Sequence, residues 1–197
     1  MTELSDLPAS AQQIELVRRL SAAKAHAVYA ELTVPHFADY SDDCGEGAQR
    51  KSVILAADTI VCLGAEILGK PHSPAEAEKM LRQLAGRTHL VHTGVALLLI
   101  SASGELLAAE NIVETTEVSF LPLNAALERR LQAYVSSGVP LDKAGAYGIQ
   151  DYGALFVSGI KGDYYNVMGL PLAKVTVLLD RWQSQEEDET GAGVCNN

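Results

Sequence analysis

Between residues 88 and 120 the sequence carries two long runs of apolar and β-branched residues, 88–100 and 105–120, separated only by Ser101-Ala102-Ser103-Gly104. A four-residue, glycine-containing break between two strand-type runs reverses the chain as a β-hairpin, so the fold contains a long antiparallel pair. The remaining segments alternate between strand and helix patterns. The expected class is therefore α/β, a single domain with a mixed, mostly central β-sheet flanked by helices.

Residues 10–31 form an amphipathic helix pattern, with Ile14, Leu16, Val17, Leu20 and Val28 on one arc. Lys24 falls inside that arc, where it either snorkels from the helix edge or reaches toward a negative group. The run SVILAADTIVCL has strand length but holds Asp58 in its middle. Ser73-Pro74-Ala75-Glu76 combines an N-cap, an N1 proline and a capping-box glutamate, and opens a helix that Gly86 closes. A further helix spans residues 124–137, ending at Gly138 and Pro140. Then come the loop DKAGAYGIQ, a short strand ALFVSGI, the loop KGDYYNVMGLP and a last helix from residue 171 to about 183. The expected organisation is one domain over residues 1–184, an acidic surface loop at 36–50, and a disordered acidic tail at 185–197.

The formal net charge of −10 narrows the partners once its distribution is considered. Asp39, Asp42, Asp43 and Glu46 lie in one segment and Glu186, Glu187, Asp188 and Glu189 in another; without these eight, 17 acidic residues face 15 basic ones. A nearly neutral body admits an anionic small molecule. No basic stripe with interleaved aromatics points to a nucleic-acid polymer, and no apolar run is long enough for a membrane span. Neither the basic nor the apolar region of a signal peptide opens the chain, so a cytoplasmic location is expected. The three cysteines, Cys44, Cys62 and Cys195, lack zinc-site spacing and read as reduced thiols.

One polar constellation stands out. Asp58 and Thr59 interrupt an apolar strand, Lys70 follows shortly after, and the two glycine-containing loops hold Asp142, Lys143, Gln150, Lys161 and Asp163. A carboxylate at such a place can hold Mg²⁺ or orient a water, and lysines can neutralise phosphate oxygens. The plain alternative is a capped strand end with ordinary solvated loops. His89 and His92, three apart in a strand, point to opposite faces and do not share a metal. No phosphate-binding G-x-x-x-x-G-K-[ST] loop or G-x-S-x-G elbow occurs.

The strings AADTIVCLGAEILGKP, EAEKMLRQLAGRTHLVHTGVAL, TTEVSF, DKAGAYGIQ and GALFVSGIKGDYYNVMGLPL, in that order, closely resemble the Maf-like family of nucleoside triphosphate pyrophosphatases. The likeness runs from about residue 52 to 182, and LVRRLSAAKAHAV upstream is similar to the family's helix in which a lysine faces the active site. The resemblance implies a Maf-like fold and hydrolysis of the α-β phosphoanhydride of dTTP or UTP with a divalent cation, Mg²⁺ or Mn²⁺. It implies Asp58 as the catalytic and metal-holding carboxylate, Lys24 and Lys70 as triphosphate contacts, Thr59 and Gln150 as substrate-selecting residues, and a homodimer. An amide such as Gln150 offers both a donor and an acceptor to a pyrimidine edge.

The resemblance departs near the amino terminus. The family's opening strand, its Ser-x-Ser-Pro-Arg-Arg loop and a later Asp-Glu pair have no counterpart; Arg18-Arg19 and Arg129-Arg130 fall inside helix patterns. The expected consequences are weakened or absent catalysis and a neighbouring strand left unpaired. Two further readings follow: a pyrophosphatase for a modified purine of the 7-methyl-GTP type, and a septum-related regulatory protein that binds nucleotide without turnover.

Overall fold

A computed structural model describes residues 8–32 and 51–191, with side chains through residue 184. The hairpin is its centre: β3 (Thr88–Ile100) and β4 (Leu106–Phe120) pair antiparallel from Thr88↔Ser119 to Ile100↔Leu106. β1 (Ser52–Leu63) pairs along the other side of β3, and the short β2 (Glu66–Leu68) and β5 (Val157–Lys161) complete a five-stranded sheet in the order β2-β1-β3-β4-β5. The α/β class and the flanking helices are as expected, but all four strand pairs are antiparallel where mixed pairing was expected. The short turn Ser101–Gly104 makes the β3–β4 pair antiparallel directly, whereas the long helical connections from β2 to β3 and from β4 to β5 also return their strands antiparallel to the neighbour.

β3 is buried along nearly its whole length because each face has its own cover. Ala96, Leu98 and Ile100 pack with Ala25 of α1 (Ala9–Glu31), whereas Val95 and Leu97 pack with Val175, Leu178 and Trp182 of the last helix, α5 (Leu172–Gly191). The largest core cluster joins α2 (Pro74–Leu84) and α3 (Ala125–Ser136) to the end of the sheet carrying Val61, Val91, Val118 and Phe120. Both helices begin as their sequence signals require. Ser73 Oγ accepts from the Glu76 amide at 3.2 Å, and Asn124 Oδ1 accepts from Ala126 and Leu127 at 3.0 and 2.9 Å.

α1 has the expected span but a different buried face. Gln13, Val17, Ser21 and Ala25 are buried, while Leu20 and Val28 are exposed. The reason is a close approach: a Cβ on Gly94 of β3 would lie 2.5 Å from the Val17 carbonyl oxygen, so only a stripe of modest side chains fits between helix and sheet. The polar members of that stripe are satisfied, Gln13 donating to the Gly64 carbonyl at 3.0 Å and Ser21 to that of Arg18 at 2.9 Å.

Two other elements differ from expectation. KGDYYNVMGLP contains a short helix, α4 (Tyr164–Met168), capped by Asp163 and ended by Gly169 at φ 107°. α5 continues to Gly191, beyond the expected end near residue 183, through a run rich in the good helix formers Gln and Glu. Residues 192–197 of the expected tail and the acidic loop at 36–50 lie outside the described residues, as do Cys44 and Cys195.

Candidate functional site

The site begins at an edge of β1. On one side this strand pairs with β3 from Ser52 to Cys62; on the other, among the described residues, it pairs only with β2, at Val61 to Leu63. Asp58 and Thr59 point to opposite faces of the strand, yet both line one cavity of about 320 Å³, because the cavity wraps that edge. Asp58 lies opposite Gly94, where α1 comes closest, and forms an ion pair with Lys24 of that helix. Lys24 also donates to the Ala57 carbonyl at 3.4 Å, which places its ammonium group at the strand edge.

The opposite wall comes from the loop after α3. Gly145 sits at φ 68° and Ala146 at φ 61°, two successive left-handed residues that fold the loop tightly against β1. The Gly145 amide donates to the Gly69 carbonyl at 3.0 Å, and a Cβ on Gly145 would meet Val61 at 2.9 Å. That contact brings Lys70 beside Asp142 and Lys143, all three lining the cavity. Lys143 pairs with Asp142 at 2.8 Å and lies 3.8 Å from Asp151. The hydrogen bond from Lys143, with smaller effects from the charges of Lys143 and Lys70, holds the Asp142 carboxyl below its ordinary range.

Gln150 ends this loop and projects from its surface into the cavity, anchored by the buried Ile149 before it and Asp151 after it. Asp151 Oδ1 accepts from Tyr134 Oη at 2.9 Å and from the Gly153 amide at 2.8 Å, and Tyr134 Oη accepts from the Gly148 amide at 3.2 Å. The floor near Thr59 is made by α4, with Val167 and Met168 lining the cavity and Gly169 close to Thr59. Behind Thr59 lies a buried polar chain: Thr59 Oγ1 is 2.9 Å from Thr93 Oγ1, which donates to the Asn166 carbonyl at 2.8 Å.

Five residues singled out in the sequence, Asp58, Thr59, Lys24, Lys70 and Gln150, thus line one cavity together with Lys143. The arrangement can hold a polyanion against three ammonium groups while presenting a carboxylate to it. Comparison with known proteins agrees with the earlier likeness. The family described as Maf-like protein matches residues 2–182. The chain belongs to the Maf-like family.

Among its relatives, a protein of Halalkalibacterium halodurans named dTTP/UTP pyrophosphatase is 53% identical over 123 residues, covering 62% of this chain and 60% of that protein. One of the same name from Moorella thermoacetica is 45% identical over 163 residues, covering 83% and 72%. A third, from Bacillus cytotoxicus, is 47% identical over 134 residues, covering 68% and 65%. The Maf-like chain therefore spans between about three-fifths and three-quarters of these relatives' lengths.

Not every polar residue of the Maf-like loops belongs to the site. Lys161 is exposed and pairs with Glu117 at 3.1 Å, and Asp163 caps α4 by accepting from the Tyr165 amide at 2.7 Å. Conversely, Tyr147, Val167 and Met168 line the cavity, although nothing in their spacing marks them. His89 and His92 are buried and bonded to Tyr147 and Thr115, each at 2.8 Å. Among the described residues no group of three or more His, Cys, Asp or Glu side chains could hold a metal. Asp58 fits a different mode, in which one carboxylate shares a Mg²⁺ ion with substrate phosphates and water. No helix among the described residues is long and apolar enough to cross a membrane.

Proposed function

We propose that this Maf-like chain is a nucleoside triphosphate pyrophosphatase that hydrolyses the α-β phosphoanhydride of dTTP and UTP. The carrying observation is the convergence of Asp58 with Lys24, Lys70 and Lys143 on one cavity, whose volume suits a small-molecule ligand. The shared name of its relatives supports the substrate. A cytoplasmic location, where nucleoside triphosphates are turned over, and a homodimer are part of the proposal.

In this reading the lysines gather the triphosphate oxygens, and the negative charge that builds on the leaving pyrophosphate is met by groups already in place. Asp58 accepts a proton from a water as the water oxygen bonds to the α-phosphorus. The bond from that phosphorus to the α-β bridging oxygen breaks, and pyrophosphate leaves with the electron pair. A Mg²⁺ or Mn²⁺ ion held by Asp58 and phosphate oxygens would further neutralise the triphosphate. Thr59 and Gln150 face the base. Lys24 keeps Asp58 directed at the cavity through their ion pair.

Pyrophosphate release from dTTP, UTP, CTP and GTP with Mg²⁺ or Mn²⁺ tests the proposal. Turnover of dTTP and UTP is expected, reduced roughly 10²- to 10⁴-fold in Asp58→Asn, the range typical for loss of a general base. Absence of turnover by a cooperatively melting wild-type chain would sink it.

A further inference from the structure

The buried chain behind Thr59 has a direction. Each threonine hydroxyl owns one proton. The Asn166 carbonyl can only accept, so the Thr93 proton is spent on it at 2.8 Å. The 2.9 Å contact between Thr59 and Thr93 must then use the Thr59 proton. Asn166 cannot turn away to release Thr93: it is fully buried, and its side-chain amide donates to the Val91 carbonyl at 3.0 Å and to Thr116 Oγ1 at 2.9 Å. Thr116 in turn bonds the backbone of Asp163 at 3.0 and 3.1 Å. Thr59 therefore faces the cavity with lone pairs only.

An acceptor-only hydroxyl is a poor partner for a phosphate oxygen, which also accepts, and a good one for a ring N–H. We propose that Thr93, which does not itself line the cavity, is a positioning residue: it fixes Thr59 as an acceptor and so selects bases presenting an imide N–H. Uracil and thymine carry that hydrogen at N3. Cytosine has a lone pair there, which would face the lone pairs of Thr59 across an unmade bond. Gln150 lines the same cavity and can donate to a flanking carbonyl, so the two residues together match the imide edge. The inference rests on the nucleotide reading of the cavity but not on catalysis.

The test is equilibrium binding, by calorimetry with Mg²⁺, of the non-hydrolysable analogues α,β-imido-UTP and α,β-imido-CTP to the intact chain. Wild type is expected to prefer the uracil analogue by about tenfold, the size of one lost or mismatched hydrogen bond. Thr93→Val leaves Thr59 free to rotate its proton into the cavity, and the preference should fall to within about twofold. Thr93→Ser keeps the hydroxyl and should keep the preference. If Thr93→Val does not melt cooperatively, Thr93→Ala removes the same oxygen and is read the same way. A wild type without base preference overturns the inference. So does a folded Thr93→Val or Thr93→Ala variant that keeps its preference, or one that loses both ligands equally. Preferential binding of the uracil analogue without hydrolysis of UTP would defeat the pyrophosphatase reading alone, whereas turnover without base preference would defeat this inference alone.

Discussion

Lys24 illustrates how a single residue can be ambiguous in sequence and plain in space. Its helical position places it on an apolar arc, from which it either snorkels or reaches toward a negative group. The partner, Asp58, lies 34 residues away on β1, and only the packing of α1 across Gly94 brings the two together. Their ion pair is half-exposed on the lysine side, so its worth to stability is under about 1 kcal/mol. Its proposed worth to the reaction is larger, because the ammonium group both directs Asp58 and faces the triphosphate. Lys24→Met is therefore expected to lower kcat/KM for UTP by roughly 10²-fold, as for other preorganised charge contacts, with a nearly unchanged urea midpoint. A matching loss of stability would instead make Lys24 a structural residue.

At the scale of elements, strands and caps are legible because their signals are local. The hairpin of β3 and β4, the Ser73 cap and Gly138 at φ 76° all stand where the sequence places them, and the helix expected from residue 124 begins with Asn124 as its cap. The buried face of α1 is not legible, since it depends on how near the helix comes to the sheet. Gly94 sets that distance. Gly94→Ala would drive a methyl group into the Val17 carbonyl, backbone that cannot rotate aside, and is expected to cost about 1–3 kcal/mol. The helix must also lift from the sheet, carrying Lys24 off Asp58, so nucleotide affinity should fall along with the melting temperature. Unchanged affinity in the folded variant would show that α1 does not set the site. α4 is not legible for a different reason: five residues are too few for helical periodicity to show, although Asp163 and Gly169 mark its ends.

Across the whole molecule, the sheet is covered on both faces, and this burial carries titratable groups with it. Burial pushes His89 down to about 4 and lowers His92 as well, while the Cys62 thiol is pushed up to about 11 and stays protonated at neutral pH. An unfolded histidine titrates near 6.5. Between about 6.5 and 4 the unfolded chain therefore binds more protons than the folded one, and stability falls as pH falls; above that window His89 is neutral in both states. From pH 7.5 to pH 5 the contribution of His89 is a loss of about 2 kcal/mol, and urea unfolding of His89→Gln should show a correspondingly flatter pH dependence. Equal slopes in the two proteins would mean that His89 is protonated without cost. The sequence by itself determined the α/β class, the hairpin and the Ser73 helix cap, because periodicity and turn chemistry are properties of neighbouring residues; the grouping of Asp58, Thr59, Lys24, Lys70 and Gln150 followed only from motifs that resemble the Maf-like family, and pattern alone left Lys161 and Asp163 among the candidates. Tertiary structure alone decided the all-antiparallel pairing, the buried face of α1 along Gln13, Val17, Ser21 and Ala25, the edge of β1 around which Asp58 and Thr59 meet, and the contacts that join Thr59 through Thr93 to Asn166. Each of these depends on which distant groups come within a few ångströms of one another, and that distance is set only when the elements pack.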